Sequence, residues 1–226
     1  MGDRLLESHK IALWKSRLEK NGNHLLGIEP LYQKFRADGS LLFALVNTDA
    51  VTPEGEKLLP LCFIKGEVVS VLICLIDERT GEKFLMLVRQ RRICDGSHTY
   101  EHPAGMLDDE TDPYAVAIRE VHEETGIAIT RGELVHLHPD RVFFPSTATS
   151  DEAMHLLYAE LILSSEAIWA LHERHTGEAS ENESITTHVV SFEAGYRLIT
   201  NTNALLHCFM YLSDVADWEL LKRLKQ

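Results

Sequence analysis

The stretch from Val68 to Ile76 is apolar at every position but Ser70, and charged turn residues bound it. A strand that meets solvent on one face alternates apolar and polar residues. A run without that alternation is a strand covered on both faces. The rest of the fold must therefore supply a layer on each side of the sheet that contains it. The remaining pattern provides the material. Phe84–Arg89 reads as the return strand across the turn at Asp77–Glu82, and a short strand near Thr99–His102 leads into Pro103-Ala104-Gly105. Residues 113–125 read as a helix with Gly126 where a C-cap glycine belongs. Strands are expected at about Glu133–His138, Ala153–Leu163 and Val189–Phe192. A short helix capped by Ser164 should run to Arg174, and a final helix from Asn203 to Leu224, interrupted near Ser213-Asp214. The segment His175–Ser184 is polar, acidic and expected to be mobile. Ahead of all this, residues 3–20 have a helical apolar period in Leu5, Leu6, His9, Leu13 and Trp14. Two strand-like runs follow, Leu25–Phe35 and Leu41–Thr48, joined by Ala37-Asp38-Gly39-Ser40, a strong hairpin signal. Strands followed by mixed strands and helices indicate an α+β fold, an α/β/α sandwich with a mixed central sheet. A small helix-plus-hairpin domain is expected over 1–64 and the main domain over 65–226.

Composition excludes several functions. The chain of 226 residues carries a formal net charge of −13, which argues against a nucleic-acid backbone as partner, since phosphate neutralisation needs clustered Lys and Arg. No apolar run reaches the roughly 18 residues of a membrane span, and the N-terminus lacks an apolar signal core. A cytoplasmic location is the default expectation. Cys62, Cys74, Cys94 and Cys208 are far apart and form no CxxC pair, so free, mostly buried thiols are expected rather than zinc ligands or disulfides.

The chemistry concentrates in the helix at 113–125. A helix advances about 100° per residue, so Glu120 and Glu124 lie about 40° apart and Glu123 about 60° to the other side of Glu120. Three carboxylates then share one face within one turn, where like charges repel. Such a face is either solvated or holds a cation, and oxygen ligands in this number suit Mg²⁺, Mn²⁺ or Ca²⁺. The surroundings favour the cation: Arg119 precedes the first Glu, Gly126 ends the helix, and a loop led by Gly105 enters it.

Gly105, Arg119, Glu120, Val121, Glu123, Glu124, Gly126 and Ile127 resemble, in register, the box of the Nudix hydrolase family: Gly, five residues, Glu, seven residues, then Arg-Glu-aliphatic-any-Glu-Glu-any-Gly-aliphatic. Thr111 stands where the first Glu is expected, flanked by Glu110 and Asp112. The resemblance implies Glu120 and Glu124 as principal metal ligands, Glu123 as a further ligand, and Arg119 orienting the cluster by pairing with a glutamate. Pro103–Asp108 is similar to the entry of the family's ADP-ribose and ADP-sugar diphosphatase branch, which implies the Ala104 carbonyl as another ligand. Val88–Arg92 resembles that branch's strand ending in Gln-aromatic-Arg, with Arg92 in the Arg position and Arg91 replacing the aromatic. Glu101 matches the Glu two residues before the Pro. Arg92, Arg89 and Glu101 are thus candidates for substrate binding. Phe144-Pro145-Ser146 and Ser150–Met154 resemble the loop that supplies a glutamate acting as base or extra ligand, implying Glu152, with Glu123 as the second candidate base.

The expected function is Mg²⁺-dependent hydrolysis, with Mn²⁺ as a possible substitute. The expected substrate is a nucleoside diphosphate sugar, ADP-ribose or ADP-glucose above all, giving AMP and a sugar phosphate. A UDP-sugar diphosphatase and a non-catalytic nucleotide-sugar sensor are the alternatives. The expected partner is this small molecule, and the resemblance implies a homodimer formed through the N-terminal domain. His136 and His138 alternate along a predicted strand and would face one side; exposed or hydrogen-bonded histidines are the preferred reading there. Trp14 and Phe35 read as packing residues.

Overall fold

The computed structural model describes residues 3–177 and 184–224. The elements in chain order are α1 (Asp3–Leu6), α2 (His9–Lys20), β1 (His24–Phe35), β2 (Leu41–Val51), β3 (Leu61–Ile64), β4 (Glu67–Asp77), β5 (Lys83–Arg91), β6 (His98–Glu101), β7 (Ala104–Met106), α3 (Pro113–Thr125), β8 (Val135–Leu137), β9 (Ala153–Leu163), α4 (Ser165–Trp169), β10 (His175–Thr176), β11 (Ile185–Ser191), α5 (Phe192–Leu198), α6 (Thr202–Asp214) and α7 (Trp218–Arg223). The chain divides into two compact units. One comprises Met1–Val68, Met106–Thr111 and Phe143–Met154; the other comprises Val69–Gly105, Asp112–Val142 and His155–Gln226.

In the first unit, β1, β2 and β3 form an antiparallel sheet in that order. On β2 the residues Ala44, Val46, Thr48 and Ala50 are buried with their neighbours on the strand more open, the period of a strand covered on one face. Its core is Leu5, Ile11, Leu41, Ala44, Val46, Cys62 and Ile64, with Trp14, Ile28 and Phe35 packed against it. The hairpin turns where expected: Asp38 Oδ1 accepts from the backbone N–H and the hydroxyl of Ser40, at 2.9 and 2.8 Å. β1 is an edge strand, the place where Pro30 costs no ladder bond. Leu26, Leu31 and Tyr32 on it are exposed.

The expected single N-terminal helix is two, broken at Glu7–Ser8. Ser8 is extended (φ −66°, ψ 137°), and the α2 side chains that become buried are Lys10 and Ile11. Lys10 owes its burial to partners distant in sequence. Its Nζ donates to the Leu42 carbonyl at 2.9 Å and pairs with Asp108 at 2.8 Å, while Arg36 holds the other carboxylate oxygen of Asp108 at 3.0 Å.

The larger sheet has eight strands, β10-β11-β5-β4-β9-β8 along one path, with β6 on β5 and β7 on β4. Nine of the eleven residues of β4 are buried, as an apolar run without alternation requires. α3 buries Val116, Ala117, Val121, Glu124 and Thr125; α6 buries Ala204, His207, Cys208, Tyr211 and Leu212. The expected α+β architecture holds. The shorter elements depart from expectation. The Ser164 helix ends at Trp169, and the last strand spans 185–191 rather than 189–192. Helix α5, capped by the Ser191 hydroxyl, follows where none was expected. β3 and β7 were not anticipated. Of the polar segment at 175–184, residues 178–183 lie outside the described residues. Cys62, Cys74 and Cys208 are buried, Cys94 is exposed, and all four are free.

His102 and His207 are buried in the second unit with rings edge-on at 5.1 Å. Burial pushes the pKa of His102 down to about 4 and that of His207 well below its ordinary value. Both are neutral in the fold, whereas an unfolded chain protonates them below pH ~6.5. As pH falls through 6.5 the unfolded state takes up protons that the folded state excludes, so stability falls with pH. Between pH 7.5 and 5.5 each ring should remove on the order of 1 kcal/mol. Urea midpoints at these two pH values will read this; equal midpoints would contradict it.

Candidate active site

Helix α3 is framed at both ends by side chains or backbone that hold it still. Asp112 caps its start by accepting from the Tyr114 N–H at 3.1 Å, and Pro113 occupies the first turn. Gly126 ends it in the left-handed region (φ 70°) and donates to the His122 carbonyl. Its last carbonyls find partners in the segment after α4: Gly177 N–H donates to Glu123 O at 3.1 Å and the Thr176 hydroxyl to Glu124 O at 2.5 Å. Sequence reasoning missed Asp112, although an Asp-Pro step is a helix-start signal. It could not have found Thr176.

The three glutamates share a face as expected, in graded exposure. The Glu124 residue is 2% exposed, while the side chains of Glu120 and Glu123 are 15% and 38% exposed. Glu124 Oε2 accepts from the Ala104 N–H at 3.1 Å, which fixes the backbone of β7 against the helix. Arg119 pairs with Glu120 at 3.0 Å and lies 3.9 Å from Glu123, the arrangement expected of it. Glu120 lies so close over Gly105 that any Cβ there would overlap its side chain. That is the physical reason for a glycine at the head of the loop. Thr111, at the box position where Glu was expected, is exposed. Of the flanking acids, Asp112 serves as cap and pairs with Arg131 at 2.5 Å, and Glu110 Oε1 accepts from the Thr111 N–H at 2.7 Å.

The three substrate-binding candidates have partners. Arg92 makes a two-pronged contact with Glu101, Nε to Oε1 at 3.0 Å and a terminal nitrogen to Oε2 at 2.8 Å, and the Thr99 hydroxyl also donates to Glu101 at 2.6 Å. Arg89 donates to Glu173 at 3.1 Å. Glu152 lies in the first unit, where Lys65 pairs with it at 2.6 Å.

His172, Glu173 and His188 bring three ligand atoms within 4.8 Å of one another. Two observations oppose a metal there. The Val189 N–H donates to His172 Nδ1 at 3.0 Å, which places the neutral ring's proton on Nε2, the nitrogen that reaches toward Glu173. The Arg89 guanidinium already faces the Glu173 carboxylate. The hydrogen bond from His188 holds the Glu173 carboxyl below its usual range, and burial lowers the His188 pKa. The group is a hydrogen-bond network around Arg89. His136 packs edge-on to Tyr114 and His155. His138 falls outside β8, with a left-handed backbone (φ 55°), so the expected alternation of the two does not apply.

Comparison with known proteins places the family. The NUDIX domain family model matches residues 66–198. Over 164 residues the chain is 31% identical to Nudix hydrolase 14, chloroplastic, of Arabidopsis thaliana, covering 70% of this chain and 52% of that protein. Over 74 residues it is 37% identical to an ADP-sugar pyrophosphatase of Mus musculus, covering 33% of this chain and 32% of that one. The chain thus spans about half the length of the first relative and a third of the second. Among solved structures, one titled "Crystal structure of ADP compounds hydrolase" superimposes with a TM-score of 0.56 at 16% identity, covering 89% of this chain and 96% of that one. The chain belongs to the Nudix family.

Proposed function

We propose that this protein hydrolyses the diphosphate bond of a nucleoside diphosphate sugar, ADP-ribose or ADP-glucose, to AMP and a sugar phosphate. The observation that carries the reading is the Glu120–Glu123–Glu124 face on one turn of α3 beside Gly105, with Arg119 paired to Glu120. The murine relative's name, ADP-sugar pyrophosphatase, supports the substrate class.

The donor set suits a divalent cation. It offers hard carboxylate oxygens in one turn, one of them buried on a hydrogen bond from the backbone that leads into the box. Glu120, Glu123, Glu124 and the Ala104 carbonyl would hold Mg²⁺. When bound, Mg²⁺ neutralises charge on the diphosphate oxygens and lowers the pKa of water. Arg119 keeps the Glu120 carboxylate oriented. Glu152, assigned on the resemblance, accepts the proton of the attacking water, with Glu123 as the second candidate. The water oxygen bonds to one phosphorus, the bridging P–O bond breaks, and the departing phosphate takes its electrons. Arg92 and Arg89 are the residues for the diphosphate, and Glu101 orients Arg92 through their two-pronged contact.

The test is phosphate release in a coupled phosphatase assay with Mg²⁺ across ADP-ribose, ADP-glucose, UDP-glucose, NADH and diadenosine polyphosphates, repeated with EDTA and with Mn²⁺. A preference for an ADP-linked sugar, abolished by EDTA, is the expected result. Preference for UDP-glucose would move the substrate to the uridine class. Binding without turnover under every condition would favour a nucleotide-sugar sensor.

The reading includes a homodimer through the N-terminal residues. Leu26, Leu31 and Tyr32, exposed on edge strand β1, support a second copy there. Light scattering should give twice the 25.6 kDa chain mass, and Leu31→Asp should halve it. A wild-type monomer would refute this.

A further inference from the structure

The end of the loop that bears Glu152 is tied to β3 and to the short link between β3 and β4. Phe63 N–H donates to Thr149 O at 2.7 Å, the Ser150 hydroxyl and the Asp151 N–H donate to Phe63 O at 3.1 and 3.3 Å, and Ala153 N–H donates to Gly66 O at 3.3 Å. Asp151, buried, accepts from the backbone N–H groups of both Lys65 and Gly66 on a single oxygen, at 2.6 and 3.1 Å. The Glu152 N–H donates to the Ser150 hydroxyl at 3.1 Å. On this doubly fixed backbone, Lys65 Nζ meets Glu152 Oε1 at 2.6 Å, with side chains 29% and 20% exposed.

An exposed ion pair contributes little because two long side chains must be immobilised to form it. Here the backbone at both ends is already held, so less freedom is lost, and partial burial strengthens the charge-assisted bond. A glutamate has three side-chain torsions and holds no orientation by itself. A group that takes a proton from water must lie within hydrogen-bond reach of it, and small misplacement lowers the rate steeply.

We infer that Lys65 is a positioning residue: it fixes the carboxylate of Glu152 in the orientation from which Glu152 serves as base. The inference rests on the reading of Glu152 given under the proposed function. Lys65 acts through one oxygen of Glu152 and leaves the second to the water. Asp151 sets the height of Lys65 by holding its backbone.

The experiment is a double-mutant cycle of Lys65→Met, Lys65→Arg, Glu152→Gln and Lys65→Met/Glu152→Gln, with kcat, KM and Tm measured on the ADP-linked sugar that the wild type turns over best. Lys65→Met should lower kcat about 10-fold with KM within twofold and Tm within a few degrees. Lys65→Arg should restore most of the rate, which a merely structural loss would not permit. In the Glu152→Gln background, Lys65→Met should change kcat by less than twofold. Should Lys65→Met lower Tm strongly, Lys65→Gln, which keeps a hydrogen-bond donor, takes its place under the same criteria. Wild-type kcat in the Lys65 variant, with Glu152→Gln impaired, overturns the positioning role while leaving Glu152 as base. An equal loss from Lys65→Met in both backgrounds overturns it too, since Lys65 would then act elsewhere. An active Glu152→Gln refutes the base reading itself, and the inference with it.

Discussion

Glu124→Gln should reduce kcat about a thousandfold with Mg²⁺ present and leave the fold intact. The side chain is buried and its oxygen accepts from the Ala104 N–H. Glutamine has the same shape and keeps an oxygen for that bond, so the contact between β7 and α3 survives. What disappears is one negative charge among three on a single helical turn. Relief of like-charge repulsion should hold Tm steady or raise it slightly. The chemistry moves the opposite way. A bound metal contributes several kcal/mol to transition-state charge stabilisation, each ~1.4 kcal/mol being a factor of ten, so if Glu124 is the ligand proposed above its loss should remove about three decades. Mg²⁺ titration of activity alongside calorimetric melting separates the two. A variant within tenfold of wild type would show that Glu124 does not hold the metal.

Gly105→Ala should have the next largest effect, by a different route. The backbone at Gly105 is not in the left-handed region, so alanine introduces no torsional strain there. It introduces a methyl group where the Glu120 side chain lies. The glutamate must turn away, and Arg119, bonded to its Oε1, must follow. Displacement of about 1 Å at a reacting centre lowers rates about a hundredfold. Overpacking should cost on the order of 1–3 kcal/mol of stability. The apparent Mg²⁺ requirement should rise as kcat falls. A variant within threefold of wild type, with an unchanged Mg²⁺ requirement, would mean that the Glu120 carboxylate does not need its place over Gly105.

What could be read from the sequence was what is encoded within one element. The bounds of α3 follow from its own residues, because Pro113 opens it, Gly126 closes it, and every residue of the acidic face lies between. β4 and β9 were legible for the same reason, their burial being uniform or their length unbroken by turn residues. The failures have long-range causes. Lys10 is buried because Asp108, 98 positions later, neutralises it, so the apolar period alone misplaced the inner face of the first helix and missed its break. Helix α5 contains Gly195, a poor helix former. It is tolerated because a Cβ there would press on Leu85 of β5, a contact no local pattern announces. At the site, Arg92 and Glu101 were singled out separately, and only the register of β5 on β6 makes them a pair. Lys65 and Glu152 are 87 residues apart. Nothing in either neighbourhood points to the other.

The clasp on Asp108 bears on how this chain can be rebuilt. Lys10 from α2 and Arg36 from the β1–β2 turn grip a carboxylate only three residues beyond Gly105. Cutting the chain at residue 65 to isolate the family domain would strand that carboxylate without either cation and expose the loop carrying Glu152 to solvent along its β3 side. The N-terminal residues are therefore not an attachment that can be exchanged freely between homologues. A chimera that imports a foreign N-terminus must import cations at the same two places to keep the clasp on the loop that leads into α3.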